Sequence, residues 1–241
     1  AEALAHVRAI ADELGSTRAL CLRSLIRLWR GDSAAAAEDV GAFLLISQSF
    51  GLQSDFVTWN GMGQWCLALA AWACGDCERA ITLFGEALKL LPLLPPHGQG
   101  VASSLDAEAA LAALRMARGE NAAAAMDAVI ERCRAIPNAM VLLRGLWWST
   151  RALLSSAAYD RADAACCEGL ALARRLNAAL WAADLLEMRA AVLAEQAQLE
   201  RAAEWWGAAL ALRERAGLPR WPVDQPGYAT RIQRAKAALG A

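Results

Sequence analysis

The chain has 241 residues, of which 57% are hydrophobic, and its 24 Lys and Arg against 25 Asp and Glu give a net charge of −1. This charge lacks the basic excess of a non-specific nucleic-acid binder, so we expect no direct contact with nucleic acid. No uninterrupted apolar run approaches the roughly 18 residues of a membrane span. The seven cysteines are odd in number and irregularly spaced, which argues against a disulfide framework and favours the reducing cytoplasm.

The N-terminal residues predict part of one helical hairpin followed by a complete one. Residues 1–15 have the pattern of an orphan second helix, and Gly31-Asp32 separates a helix over 17–30 from one over 33–50. Because the pattern starts inside a hairpin, we expect the sequence to be part of a larger protein.

The next hairpin, over residues 54–91, is the most regular part of the sequence. Apolar residues recur at helical spacing on both sides of Gly75-Asp76. A glycine after the last turn of a helix takes the left-handed conformation that closes the turn. The acidic residues that follow stabilise the N-terminus of the next helix through the helix dipole. Pro92 cannot continue that helix and is expected to end it.

This hairpin resembles the tetratricopeptide repeat. The second-helix signature of that family is matched by Ala80, Phe84, Ala87 and Pro92, while Ala71 stands where the family has a first-helix tyrosine. The resemblance implies an alanine at a close helix–helix contact and an aromatic ring filling the gap between neighbouring hairpins.

Turn signals recur along the chain at a nearly constant distance. Gly31, Gly75 and Gly119 each precede an acidic residue, and both spacings are 44 residues (75 − 31 and 119 − 75). Acidic-Arg-Ala triplets begin at Asp160 and again at Glu200, which gives a similar separation. A fixed period with helical patterning predicts a solenoid.

The remaining elements follow in order. Residues 92–100 predict a loop, after which Ser103 is expected to cap a helix, with Asp106 in capping-box spacing. Further helices are predicted over 104–118, 121–136, 139–157, 160–176, 178–197 and 199–216. A final helix over 226–239, capped by Asp224, would cover the last repeat.

The sequence therefore predicts an all-α fold, an αα-superhelix of about five hairpins with a C-terminal capping helix. We expect one tetratricopeptide-like domain over residues 1–241. Its predicted parts are 1–16 (partial repeat), 17–51, 52–102, 103–138, 139–177 and 178–218 (repeats) and 219–241 (linker and capping helix).

Cysteine motifs are the strongest candidates for chemistry. Cys74-Gly-Asp-Cys77 has redox or metal spacing, but its context is helical and no second such pair supplies the other ligands of a structural zinc site. Neither Cys166-Cys167 nor His97 has a partner visible in the sequence. We find no phosphate loop or nucleophile motif, and we expect no enzyme activity, cofactor or metal.

Tryptophan, with ten residues, predicts a candidate binding face. Several aromatic, apolar and charged residues fall on a helical face offset from the core face, which should point into the concave groove of a solenoid. The predicted ligand-binding residues are Met62, Trp65, Leu69, Trp72, Arg144, Trp147, Arg151, Asp184 and Glu187. The alternative is that longer helices bury these tryptophans between repeats.

A segment near the C-terminus resembles another family. Gly207-Ala-Ala-Leu-Ala-Leu-Arg-Glu214, followed by a Pro-rich link and a short helix, is similar to the tail of bacterial LuxR-type and adenylate-cyclase-linked signalling ATPases. The resemblance extends from Glu200 to the C-terminal helix and implies a tetratricopeptide-like sensor region of a signalling or transcriptional regulator.

The leading functional hypothesis is a non-catalytic module that binds a protein, a peptide or a small effector in its groove. The alternative is a free-standing scaffold for self-association or complex assembly. A third hypothesis, a helical enzyme with a cysteine-based site, requires a thiol with a lowered pKa.

Overall fold

The structure is a computed structural model that describes residues 13–49, 54–91 and 99–240, and helices dominate these ranges. The helices are α1 (Glu13–Trp29), α2 (Ser33–Ser49), α3 (Ser54–Ala73), α4 (Cys77–Leu90), α5 (Gln99–Ala117), α6 (Ala123–Ala135), α7 (Ala139–Ser155), α8 (Tyr159–Arg175), α9 (Ala179–Glu195), α10 (Leu199–Ala216) and α11 (Gln225–Leu239). A short 3₁₀ turn, Pro222–Asp224, precedes α11.

The fold is the predicted one: all-α, built from consecutive helical hairpins as in a tetratricopeptide-like solenoid. Helix α1 packs on α2, α3 on α4, α7 on α8 and α9 on α10. The last helix packs on α10, where Tyr228 and Ile232 cover buried Ala202 and Trp206. The predicted capping helix is therefore present.

Contacts between Cα atoms divide the chain into two compact units. Unit 1 consists of Ala1–Ala107 with Trp221–Val223, and unit 2 of Glu108–Arg220 with Asp224–Ala241. A single domain over the whole chain stays a prediction.

Unit 1 contains the hairpin of α3 and α4 on which the repeat signature is most complete. Ala80, Phe84 and Ala87 are fully buried, as the resemblance to the tetratricopeptide repeat implied. The packing of α3 needs a glycine at position 63, because a Cβ there would lie 2.3 Å from a ring carbon of Phe43. The close approach of the helices thus depends on the small residues Gly63, Ala80 and Ala87.

The same left-handed turn ends seven helices among the described residues. Its left-handed residues are Gly31, Gly75, Gly119, Ala157, Asn177, Ala197 and Gly217. The N–H of the following residue donates to the carbonyl five positions back, at 2.9 to 3.0 Å, as in a Schellman motif. From Ala157 onward the turns are evenly spaced, because 177 − 157, 197 − 177 and 217 − 197 are equal.

Three of these turns have no glycine. Ala157, Asn177 and Ala197 have φ of 57°, 51° and 61°. A left-handed backbone costs about 1–2 kcal/mol for a residue with a Cβ, least for Asn. The hydrogen bonds of the turn and the packing of both helices hold these residues in place against that cost.

The prediction was wrong for the start of α5. That helix includes Gln99, so Ser103 is an interior residue instead of a cap, and its hydroxyl donates to Met62 Sδ at 3.0 Å. Of the predicted loop, residues 92–98, including His97, lie outside the described residues.

The prediction was also wrong at the start of α1. Residues 13–15 belong to this helix, whereas the rest of the predicted orphan helix lies outside the described residues.

Candidate binding face

The predicted face residues occupy equivalent positions along their helices, counted back from the turn that follows each helix. In α3, α7 and α9 they lie 13, 10, 6 or 3 residues before the left-handed residue of the following turn. The differences are 75 − 62, 75 − 65, 75 − 69 and 75 − 72 in α3, 157 − 144, 157 − 147 and 157 − 151 in α7, and 197 − 184 and 197 − 187 in α9. We call these shared positions the inner face.

In unit 1 the inner face is buried. Its members in α3 are Met62, Trp65, Leu69 and Trp72, each at most 6% exposed. Trp65 Nε1 donates to Asp106 Oδ2 of α5 at 2.7 Å. The ring of Trp72 lies 4.8 Å from that of Trp221 between centroids. These side chains are covered in the structure, and their predicted role in ligand binding stays a prediction.

The tryptophan–aspartate bond recurs in unit 2. Trp147 Nε1 donates to Asp184 Oδ2 at 3.0 Å, with both groups buried. In both units the tryptophan lies 10 residues before its turn, and the aspartate lies 13 before its own (119 − 106 and 197 − 184). A buried indole N–H needs an acceptor, and in each unit an aspartate at the same helix position supplies it.

The inner face of unit 2 carries charged residues on α7 and α9, whereas the four inner-face residues of α3 in unit 1 are apolar. Arg213 of α10, whose side chain is 5% exposed, pairs with Asp184. Its Nε donates to Glu187 Oε1 at 2.8 Å, and its Nη1 donates to the carbonyl of Pro219 at 3.0 Å. One arginine thereby joins two predicted face residues to the backbone of the linker after α10.

Two linker residues complete the arrangement. Arg151 donates from both Nη atoms to the two carboxylate oxygens of Asp224, each at 2.7 Å. Arg220 donates to Glu187 from Nε at 3.0 Å and from Nη2 at 2.5 Å. We call Arg151, Asp184, Glu187, Arg213, Arg220 and Asp224 the charged cluster.

Aromatic rings support two of the guanidinium groups. Arg151 lies over Trp147 at 4.4 Å from the ring centroid, and Arg220 lies over Tyr228 at 3.4 Å. Trp181 packs edge-on against Trp147 at 5.1 Å. An arginine that stacks on an aromatic ring and pairs with a carboxylate is held in one orientation.

Burial and pairing act on the ionisation of the cluster in opposite directions. Burial raises the pKa of Asp184, although the guanidinium groups of Arg213 and Arg151 oppose that rise. Burial would lower the pKa of Arg213, yet Asp184 and Glu187 more than offset it and the pKa is raised. Both arginines remain cationic, so removal of a carboxylate would leave a buried charge without its partner.

The structure thus brings together four of the predicted residues in unit 2, namely Trp147, Arg151, Asp184 and Glu187. Arg144 is half-buried on the same helix face. Sequence reasoning missed Arg213, Arg220 and Asp106 as partners, and it assigned Asp224 only to a helix cap. Asp106 had a usable signal, because alignment on the turn residues places it level with Asp184.

The cysteine motif lies at the turn between α3 and α4. Burial raises the pKa of the Cys77 thiol, and the nearby carboxylates of Asp76 and Glu78 raise it further. Cys74 is exposed, and its thiol donates to Ser33 Oγ at 3.0 Å. A raised pKa is the opposite of what a reactive redox cysteine needs.

In the part of the chain that the structure describes, no group of three or more His, Cys, Asp and Glu is arranged to hold a metal ion. The helices in the same ranges are too short or too polar to cross a membrane.

The fold defines an all-α helical-repeat protein of the tetratricopeptide-like kind. No family model matches the sequence, and no curated protein matches it either. Among solved structures, it is similar to the crystal structure of Bacillus thuringiensis PlcR in complex with the peptide PapR7 and DNA. The TM-score is 0.66 at 16% sequence identity, over 83% of this chain and 70% of that chain. At this identity the similarity establishes the fold alone.

Proposed function

We propose that the chain is a non-catalytic interaction module, and that the inner face of unit 2 binds a peptide or an extended segment of a partner protein. One observation carries the proposal: this face already holds a non-helical segment of the chain through paired charges. Residues 218–221 have no regular secondary structure, and Arg220 and Asp224 pair with Glu187 and Arg151.

Two further observations support a peptide as the ligand class. Helical-repeat solenoids present an extended concave surface that they use for binding, and an extended peptide matches the shape of such a surface. PlcR, whose fold is similar, was crystallised with a peptide. We therefore favour a peptide over a small effector, and we propose that the chain itself has no enzyme activity.

The wider context is proposed from the resemblance of the C-terminal segment. We assign the chain to the regulatory or sensor region of a cytoplasmic bacterial signalling or transcriptional regulator. A ligand that prefers one arrangement of the repeats would shift the population of an attached output module toward that arrangement. The near-neutral charge of this chain favours a peptide-binding role over direct contact with DNA.

The test is selection of a random peptide library on the full chain, followed by calorimetry with the enriched peptides. We expect Arg151→Gln to weaken binding at least about tenfold, because it removes a bidentate charged contact. Arg132→Gln is the matched control, since Arg132 forms an exposed pair with Glu108 in the same unit. Equal binding by both variants would show that the peptide binds elsewhere. Failure to enrich any peptide would contradict the proposal.

Self-association is a second candidate, favoured by an exposed apolar stripe on α1. Leu22, Ile26 and Trp29, at helical spacing, are 53%, 48% and 38% exposed. Large contiguous apolar patches on a protein surface mark interaction sites, and these three residues would form the centre of one. In this hypothesis Ile26→Glu lowers the sedimentation coefficient of an oligomer to that of the monomer. A wild-type chain that sediments as a monomer at high concentration would exclude it.

A further inference from the structure

The residues around Arg220 and Asp224 behave as a ligand would. We propose that this linker segment is a resident ligand of the inner face of unit 2. The true ligand would be a peptide that carries an arginine and, four residues later, a carboxylate, and that displaces the segment. This inference rests on the proposed function and specifies the partner of that same face.

The contacts of the segment have the geometry of ligand recognition. Asp224 accepts two parallel hydrogen bonds from one guanidinium, that of Arg151, at 2.7 Å each. Arg220 donates two hydrogen bonds to the two oxygens of one carboxylate, that of Glu187. Bidentate pairs of this type recognise both charge and orientation. A peptide with the two charges in reverse order would place like charges opposite each other.

The face retains partners of its own when the segment leaves. Arg213 Nε remains on Glu187 at 2.8 Å. Arg151 Nη2 lies 3.9 Å from Asp184 Oδ2. With the segment removed, two arginines and two carboxylates remain in the cluster and their charges still balance. The vacated face would therefore be a receptive site instead of an uncompensated charge.

The segment also has an alternative use for Asp224. This residue occupies the N-cap position of α11, yet its side chain makes no capping hydrogen bond and pairs with Arg151 instead. Aspartate is among the best N-cap residues, because its carboxylate can accept from the free N–H groups of the first turn. Release from Arg151 would let Asp224 cap α11, which would offset part of the cost of displacement.

The segment would therefore have two competing states. In one it is bound to the inner face, and in the other it is released and Asp224 caps α11. The arginine of an incoming peptide would take the place of Arg220 between Glu187 and the ring of Tyr228. Its carboxylate would take the place of Asp224 on Arg151. The residues between them, Trp221–Val223, belong to unit 1, where the ring of Trp221 packs on that of Trp72. An incoming peptide therefore competes for the two charged contacts with unit 2, and the spacing of its two charged groups determines recognition.

The experiment uses a fluorescein-labelled synthetic peptide that copies residues 216–226 and fluorescence anisotropy with the full chain. The double variant Arg220→Ala/Asp224→Ala should bind this peptide. The wild-type chain should bind it about 100-fold more weakly, because its tethered segment competes at a millimolar effective concentration. The matched control is Arg161→Ala/Asp127→Ala, which removes an exposed arginine–aspartate pair with a 2.6 Å separation and should behave like wild type.

Peptide variants test the ligand chemistry. Replacement of both the arginine and the aspartate of the peptide by alanine should weaken binding to the double variant at least about tenfold. A peptide with the two charged residues exchanged should bind as weakly as the alanine peptide. Equal binding by all three peptides would overturn the proposed recognition.

Two outcomes overturn the resident-ligand idea itself. One is equal affinity of the copied peptide for wild type and for the double variant. The other is no binding by a double variant whose circular dichroism and thermal unfolding match wild type. If the double variant does not fold, hydrogen exchange on the wild-type chain decides. Millimolar peptide should accelerate exchange around Arg220 and Asp224, and unchanged exchange contradicts the idea.

Failure of this inference leaves the proposed function separately testable. Library peptides that depend on Arg151 but lack an arginine and a carboxylate at this spacing would support the binding face and reject the resident ligand.

Discussion

The inner faces of the two units use the same helix positions for different purposes. In unit 1 these positions hold Met62, Leu69 and Trp72 around the Trp65–Asp106 bond, and the result is an apolar core. In unit 2 the position of Leu69 is taken by Arg151, and arginines of α10 and the linker join it. The apolar inner face of unit 1 contributes packing. The charged inner face of unit 2 depends on ion pairs, and another group of the same charge can replace one partner of such a pair.

The largest expected effect is at the centre of the charged cluster. Asp184→Ala should lower the free energy of unfolding by about 3–5 kcal/mol, because Arg213 would lose a buried carboxylate partner. Urea titration followed by circular dichroism measures it. A loss below about 1 kcal/mol would mean that the cluster is solvated and that the contrast between the units is wrong.

The corresponding change in unit 1 should cost less. Asp106→Ala removes the acceptor of the Trp65 indole N–H, so we expect a loss of about 1–3 kcal/mol. The same urea titration applies. Asp106→Asn, which keeps an oxygen acceptor, is the matched control and should recover most of the loss. If Asp106→Ala lowers the free energy of unfolding as much as Asp184→Ala does, the buried aspartates of the two units contribute equally to stability.

A buried thiol in each unit should make the free energy of unfolding depend on pH, with opposite signs in the two units. Burial raises the pKa of Cys166 in unit 2, whereas the hydrogen bond with Cys66 lowers the pKa of Cys21 in unit 1. The folded Cys166 thiol keeps its proton above about pH 8.5, where the unfolded thiol loses it. Its contribution to stability is therefore complete below that pH and falls by up to about 1.4 kcal/mol per pH unit above it.

The measurement is urea titration from pH 8 to 10.5 with a reductant present. Cys166→Ala should flatten the alkaline decline in stability. Cys21→Ala should not flatten it, because a lowered pKa has the opposite sign and makes the thiol contribute more as pH rises. Identical slopes in the wild type and Cys166→Ala would show that this thiol does not titrate differently on unfolding.

The smallest effect concerns the turns, where unit 1 has glycine and unit 2 often does not. Ala157→Gly should raise the free energy of unfolding by up to about 1 kcal/mol, because φ of 57° is strained for alanine. Gly75→Ala in unit 1 should lower it by a similar amount.

Ala164→Gly, at an exposed interior position of α8, is the control for the turn variants. It should destabilise by about 1 kcal/mol through helix propensity alone. If Ala157→Gly destabilises to the same extent as this control, the left-handed turn is not strained.

Much of the fold could be predicted because its signals are local. Gly75 and Gly119 gave the turns, and Ala80 and Phe84 gave the core of one hairpin. The turns at Ala157 and Ala197 were predicted from the acidic-Arg-Ala triplets that follow them. The left-handed conformation of these alanines could not be predicted, because alanine favours helix and the packing of both flanking helices imposes it. Ser103 was misleading because a serine before an apolar run imitates a cap even when it is buried inside a helix.

The candidate site was only partly predictable, for a related reason. Helical spacing placed Trp147, Arg151, Asp184 and Glu187 on one face, and the structure brings them together. Their burial depends on Arg213 and on linker residues far along the chain, which no spacing rule connects to them. Asp224 shows the limit most clearly, because its position as a cap was right while its side chain is used elsewhere.

The even spacing of the turns in unit 2 has a consequence for how such chains change length. A two-helix segment cut between Ala157 and Ala197 begins and ends at equivalent points of the turn. Its duplication or loss would leave every following helix with the same side chains turned inward. A one-helix cut, from Ala157 to Asn177, would keep the turns intact but exchange first and second helices, and it would expose the residues that now form the core. Natural or engineered length variants of this region should therefore differ by whole multiples of the two-helix segment.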